Sequence, residues 1–385
     1  MKLLHVSDLH LGRSLGDFDL TDDQEFMLDQ LLDIADENSV DAVLIAGDVY
    51  DKSIPSEAAT RMLDHFLNSL AKKSINTYII SGNHDSDDRL NYGSELFTTN
   101  RIFISAKYDG HLYKNTLKTR DTEADIYLLP FVKASRVRHF LPEAEIETYD
   151  DAVRAILENE VIDSSRCNIL VAHQFVVGES CDPDLGGSES LGTKSVGLVE
   201  KIGFDCFDCF DYVALGHIHS PQQVGRREVR YSGSPLKYSL SEVNNEKSVS
   251  LITIDKDKNV DIELIPVKPL RNMRHIKGKL RDLLDKSNVS SPDDFIYATL
   301  TDEEMVNDAM AIFQLTYPNT VKIDYDNTRT REIEQVDISR IANNRSFDEL
   351  ISDFYKQIYS CEISPEEMDI MRSVAKEAGV LYEAG

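Results

Sequence analysis

Short runs rich in Val, Ile and Leu recur through the first half of the chain, at residues 2–7, 41–46, 76–81, 168–172 and 212–215, each the length of a buried strand. Between them, residues 22–38 and 56–73 place apolar side chains three and four apart, the period of a helix with one buried face. Strands alternating with amphipathic helices predict an α/β domain whose sheets are covered by helices. From 248 to 266 the period becomes two, in runs joined by Asp255-Lys-Asp-Lys-Asn259, which predicts a β-hairpin closing the domain and a boundary near Lys268-Pro269. Residues 270–330 then predict helix, strand (295–300), helix (303–315) and strand (320–325), a small α+β unit. From about Asp337 two helices follow, each with a marked start. Ser346 with Glu349 makes one capping box, and Ser364-Pro365-Glu366-Glu367 combines an N-cap, a first-turn proline and a second box. The expected domains are therefore 1–268, 269–330 and 337–385, in keeping with a length of 385 residues, more than one core usually organises.

The tail helices carry an unmatched apolar stripe: Phe347, Leu350, Ile351, Phe354, Tyr355, Ile358 and Tyr359 on the first, and Met368, Met371, Val374 and Ala375 on the second. Such a stripe must be buried, either back on this chain or on a partner's helices.

Charge narrows the functional classes. A net charge of −27 argues against a protein that coats nucleic acid with a basic surface, so any such contact must be local, metal-assisted or shared with a partner. No apolar run approaches the roughly 18 residues of a spanning helix, and in MKLLHVSDLHLG the residues His5 and Asp8 interrupt any signal-peptide core. The expected location is the cytoplasm, with no membrane contact. Five cysteines are too few and too odd in number for a disulfide framework. Cys206 and Cys209 have CxxC spacing but no second pair to complete a zinc site, and they read as packing residues.

The candidate chemistry sits where strands end: Asp8 and His10 in SDLHLG, Asp48 in GDVYD, Asn83 and His84 in GNHD, His173 in VAHQ, and His217 and His219 in LGHIH. Ligands of α/β sheets bind outside the carboxyl ends of strands, so five strand ends deliver metal-competent side chains to one edge. A phosphodiester hydrolase must neutralise phosphate charge and supply hydroxide at neutral pH, and two divalent ions roughly 3.5–4 Å apart do both. Mixed imidazole, amide and carboxylate donors suit Mn, Fe or Zn better than Mg. In Asp8-x-His10 and His217-x-His219 an extended backbone turns both side chains the same way. Gly47, Gly82 and Gly216 each precede a ligand position and leave room for ions and phosphate. Asn83 also fits a plain turn residue, and Ser232-Gly-Ser234-Pro235 fits either a turn or a phosphate-side loop. His5, His65, His111, His139 and His275 fall outside the pattern and read as surface or packing residues.

The order DxH, GD, GNHD, H, GHxH resembles the calcineurin-like metallophosphoesterases, and MKLLHVSDLHLG, GDVYD with its downstream PS, ISGNHDS and DYVALGHIHSPQ resemble the SbcD nuclease family in particular. The likeness is strong to about residue 266 and one of layout beyond. It implies a β-sandwich flanked by helices, a small DNA-capping domain and a helical tail. It implies two ions, most simply Mn²⁺, one surrounded by Asp8, His10, Asp48 and His219, the other by Asp48, Asn83, His173 and His217, with Asp48 bridging. His84 would contact the scissile phosphate, stabilising the transition state or protonating the leaving oxygen, with Asp85 as its orienting partner. Archaeal and eukaryotic relatives carry a second histidine shortly after the bridging aspartate, where Asp51 stands here. The resemblance also implies DNA as substrate, an SMC-like SbcC ATPase as partner, and a nuclease homodimer within a heterotetramer that acts in repair and recombination. Relatives act as a double-strand 3′-to-5′ exonuclease and as an endonuclease on single strands and hairpins. A metallophosphoesterase acting on small molecules or phosphoproteins, or a scaffold with a degenerate site, would share the fold.

Overall fold

In the computed structural model, which describes residues 1–178, 182–185, 201–328, 330, 347–359 and 363–377, the apolar runs become the central strands of two six-stranded sheets. In chain order the strands are β1 (Lys2–Val6), β2 (Ala42–Ala46), β3 (Asn76–Ile80), β4 (Ile102–Ser105), β5 (Tyr113–Lys118), β6 (Glu123–Leu129), β7 (Cys167–His173), β8 (Tyr212–Gly216), β9 (Gln222–Val224), β10 (Arg226–Tyr231), β11 (Ser248–Ile254) and β12 (Val260–Pro266). The first sheet runs β12-β11-β1-β2-β3-β4 and the second β9-β10-β8-β7-β6-β5. In the first, β1 to β4 are parallel and the β11–β12 hairpin adds antiparallel at one edge; in the second, β10, β8, β7 and β6 are parallel and β9 and β5 add antiparallel at the two edges. The predicted hairpin is β11–β12, and its inner strand adds to β1 with Leu3 opposite Ile252.

The two sheets face each other across a dry layer of Leu3, Leu44, Tyr78, Ile80, Ile126, Ile169, Val171 and Tyr212, all fully buried. Alternation along a strand sends the other half of the side chains outward. On the first sheet these meet helices α1 (Thr21–Glu37) and α2 (Glu57–Lys72), through Met27, Leu31, Met62 and Phe66. On the second they meet α3 (Ala134–Phe140) and α4 (Tyr149–Glu158), through Val137, Val153 and Ile156. Ser56 caps α2 by accepting from the Ala59 amide, and Thr148 opens α4 with a capping box to Asp151. The result is a sandwich with helices on both outer faces.

After the hairpin, the predicted helix near residue 270 is instead a strand, β13 (Met273–Gly278), which forms a three-stranded sheet with β14 (Phe295–Leu300) and β15 (Thr320–Tyr325), in the order β13-β14-β15. A short apolar run does not distinguish the two periods. Here Met273 goes inward while His275 and Lys277 face solvent, an edge-strand pattern. The predicted helix at 303–315 is confined to Ala309–Gln314.

The chain divides into two compact units, one of residues 1–276, 283–298 and 308–323, the other of residues 277–282, 299–307 and 324–385. The second unit holds the tail helices α5 (Phe347–Tyr359) and α6 (Pro365–Glu377). The Ser364 capping box is formed: Ser364 Oγ accepts from the Glu367 amide at 3.3 Å, and Glu367 Oε2 accepts from the Ser364 amide at 2.9 Å. Ser346, the cap expected for α5, lies outside the described residues. Tyr355 donates to Glu367 Oε1 at 2.5 Å and Arg372 pairs with Asp348, which ties the two helices together. Met368 and Ala375 are buried, Phe347, Leu350, Ile351 and Tyr355 half-buried, while Phe354, Ile370 and Val374 stay 54%, 62% and 57% exposed. The side chain of Ile358 lies outside the described residues.

Among the described residues no helix is long and apolar enough to cross a membrane. Cys206 is half-buried against the second sheet's outer core and burial pushes its thiol up, whereas Cys209 is exposed; both are free, and among the described residues neither belongs to a metal-competent cluster.

Candidate metal centre

Register aligns the strand ends. Gly216 pairs with His173 across β8 and β7, and the Asp8 amide donates to the Gly47 carbonyl just beyond β1 and β2, so the carboxyl ends of both sheets meet at one edge. Asp8, His10, Asp48 and His217 adopt positive φ angles of 54°, 43°, 47° and 105°. Each costs of order 1–3 kcal/mol for a residue with a Cβ, and such strain collects at functional sites. Gly47, at φ 84°, and Gly82 are glycines because of close approach: a Cβ would strike the His173 ring at the first and the Asp48 carboxylate at the second.

The side chains converge. His10 Nε2 lies 3.1 Å from His219 Nε2 and 3.6 Å from Asp48 Oδ2. On the other side of Asp48, His173 Nε2 lies 3.5 Å from the same Oδ2 and 3.1 Å from Asn83 Oδ1, which is also 2.9 Å from His217 Nδ1. Asp8, His10 and His219 place one ligand atom each within 4.8 Å of one another, as do Asp8, Asp48 and His173. Asp48 thus stands between two imidazole groups, and its Oδ1 accepts from the His84 amide at 2.9 Å.

Burial holds His10 well below its ordinary pKa and, with the His173 charge, pulls His217 down to about 3, so both rings are neutral. Burial opposes charge on His173 too, but Asp48 outweighs it and raises the ring to about 9; in return His173 and His10 hold Asp48 well below the carboxylate range against its burial. Burial pushes Asp8 up.

The donor set fits divalent ions. His173 Nδ1 donates to the Ala46 carbonyl at 2.8 Å, so Nε2, which faces Asp48 and Asn83, is the nitrogen whose proton a divalent ion would replace. His219 Nδ1 lies 3.5 Å from Glu242 Oε1, so its Nε2 faces His10. Facing imidazole nitrogens among buried carboxylates are what a cation between them would satisfy, and divalent metal is the cofactor the site is built for.

Sequence reasoning missed Glu242, which sits fully buried at the end of a short 3-10 helix (Leu240–Glu242) outside every strand end, where no motif marks it. It accepts from Lys247 Nζ, and despite burial the His219 ring and the Lys247 ammonium hold it near 2. Gln24 and Tyr238 were also silent in the sequence. Gln24 Nε2 donates to the His10 carbonyl at 2.8 Å and Tyr238 donates to the Leu9 carbonyl, pinning the strained Asp8-x-His10 segment.

One expectation changes, and one pair of alternatives narrows. Asp85 is not the partner of His84: its carboxylate accepts from the amides of Val49, Tyr50 and Gly82 at 3.1, 2.9 and 2.9 Å, while His84 Nδ1 meets the Asp51 carbonyl at 3.0 Å. A carboxylate with three backbone donors has become the brace joining two ligand loops. Ser232 and Ser234 are buried, bonded to Ser7 and Lys247, so that segment is a scaffold turn. Asn83 and His84 are exposed at the mouth of the site.

The calcineurin-like phosphoesterase sequence model matches residues 1–221, and the one described as the type 5 capsule protein repressor C-terminal domain matches residues 269–359. A protein of Staphylococcus epidermidis, named as the D subunit of nuclease SbcCD, is 30% identical over 376 residues, covering 96% of each chain. Its namesake in Staphylococcus saprophyticus is 32% identical over 365 residues, covering 93% of each. The chain therefore belongs to the calcineurin-like phosphoesterases and, within them, to the SbcD family, the D component of SbcCD nucleases.

Proposed function

We propose that this chain is a metal-dependent DNA nuclease, the phosphodiester-cutting subunit of an SbcCD-type complex. The observation that carries this reading is the meeting of Asp8, His10, Asp48, Asn83, His173, His217 and His219 from five strand ends around one carboxylate, in a chain of this family. Asp8, His10, Asp48 and His219 would hold one divalent ion and Asp48, Asn83, His173 and His217 the other, with Mn²⁺ favoured by the nitrogen donors. The ions would neutralise phosphate charge and lower the pKa of an attacking water. His84, exposed beside this cluster with its Nδ1 turned to the Asp51 carbonyl, would touch the scissile phosphate and donate a proton to the leaving oxygen. A linear duplex DNA assay with Mn²⁺, with and without the ATPase, tests the reading. Hydrolysis of a nitrophenyl phosphodiester without any cutting of DNA would replace it with a small-molecule phosphoesterase.

Residues 269–330 would cap the DNA and the helices within 337–385 would dock on the SMC-like ATPase, a partner implied by the name of the relatives. The exposure of Phe354, Ile370 and Val374 on a paired, capped helix hairpin supports a partner surface. A chain ending near residue 340 should lose co-purification with the ATPase and keep metal-dependent hydrolysis; co-purification at the full-length ratio would remove the tail from this role. The exposed Tyr92 and Leu96, 84% and 75% accessible, support a nuclease homodimer within a heterotetramer. Free cysteines fit work in the cytoplasm, in DNA repair and recombination.

A further inference from the structure

We infer that Asp51, held by Arg13, is a positioning residue that orients two imidazoles of the site at once, the metal ligand His10 through its carboxylate and His84 through its backbone carbonyl. This rests on the ligand assignment proposed above. His10 and His84 stand edge to face, ring centroids 4.9 Å apart at 89°, and both present Nδ1 to residue 51. His10 Nδ1 is buried without a hydrogen-bond partner and lies 3.7 Å from Asp51 Oδ1. His84 Nδ1 lies 3.0 Å from the Asp51 carbonyl oxygen. A neutral imidazole carries one N–H, so an acceptor facing Nδ1 leaves the lone pair on Nε2. For His10 that lone pair points to His219 and Asp48, where an ion would sit. For His84 it fixes which nitrogen is turned away from the protein.

Asp51 is itself held in place. Arg13 Nη1 donates to Asp51 Oδ1 at 2.9 Å, and the guanidinium carbon lies 5.4 Å from the centroid of the Tyr238 ring, which pins the strained segment carrying His10. The Asp51 amide donates to the Leu11 carbonyl, and the Arg13 amide to the His10 carbonyl. The two loops are thus joined by backbone hydrogen bonds and closed by one half-buried ion pair. His10, Asp51 and His84 could also be read as ligands of a further cation. Arg13 argues against that, because a guanidinium already occupies the carboxylate.

The test is calorimetric titration of the full-length chain with Mn²⁺, which needs no substrate. Asp51→Ala should weaken one of two ions by about 10–100-fold, the usual effect of losing a carboxylate behind a ligating histidine. Asp51→Asn, which keeps an acceptor oxygen facing Nδ1, should recover most of that loss, a rescue that a packing role would not give. Arg13→Gln leaves the strand ends intact and should weaken the same ion by a smaller factor, about 3–10-fold; it carries the test if Asp51→Ala fails to fold. Unchanged affinity for both ions in Asp51→Ala, or in Arg13→Gln where the alanine variant is unfolded, overturns the inference. So does uptake of three ions by the parent and two by Asp51→Ala, which would make Asp51 a ligand. Two tight ions in a parent that cuts no DNA would remove the nuclease reading and leave this one standing.

Discussion

The metal centre and the tail hairpin are opposite solutions to the placement of side chains. At the centre, candidate ligands from Asp8 to His219 are drawn from five strand ends, Asp8, His10, Asp48, His173 and His219 are buried, and the backbone is strained at Asp8, His10, Asp48 and His217. In the tail, α5 and α6 are adjacent in sequence and α6 carries its own capping box, yet apolar side chains remain exposed. The centre is a finished surface whose complement is an ion and a phosphate. The tail leaves apolar area exposed, and under the proposed function its complement would be another apolar surface. Strain and buried charge gather where the proposed chemistry needs them, and exposed apolar area where the proposed assembly would use it.

Separate functions should fail separately. The largest effect is expected at the centre: Asp48→Ala should lower phosphodiester hydrolysis by at least about 10³-fold, more than any single histidine variant, because one carboxylate faces both imidazole groups. Metal analysis of that variant should find fewer than two ions, and full occupancy would contradict the bridging role. His84→Gln should cost about 10²-fold or more in cleavage while both ions and DNA binding persist; loss of one ion equivalent would turn His84 into a ligand and blur the distinction between site and mouth.

Stability gives the next contrast. Mn²⁺ at about 100 times its dissociation constant should stabilise the unit holding the centre by about 2.7 kcal/mol, which for a unit of this size raises Tm by roughly 3–5 °C. Chelation should reverse the shift. A Tm indifferent to metal would mean that the strained strand ends do not respond to occupancy. The smallest effect belongs to the tail: Phe354→Ala should weaken the complex with the ATPase by about 5–10-fold, the scale of one apolar contact at an interface, with unchanged hydrolysis of a nitrophenyl diester. Lost hydrolysis with intact assembly would invert the comparison.

The division between sequence and structure follows the same line. Periodicity marked β1, β2, β3, β7, β8 and both main helices, and the Ser364 box marked α6, because these depend on residues within a turn or two of one another. The ligand residues were legible because the chemistry demands particular donors directly after particular strands. Edge strands such as β4, β5 and β13 were not, since their half-exposed, mixed sequences carry neither period cleanly. Nor was the brace formed by Asp85, the acid behind His219 at Glu242, or the closure of Arg13 on Asp51. The chain by itself determined which atoms can bind a metal, a property of side-chain chemistry and local spacing. Which atoms stand behind them, and so which nitrogen of each histidine faces inward, was decided only when two sheets brought residues more than two hundred positions apart within a hydrogen bond, as His10 and His219 are.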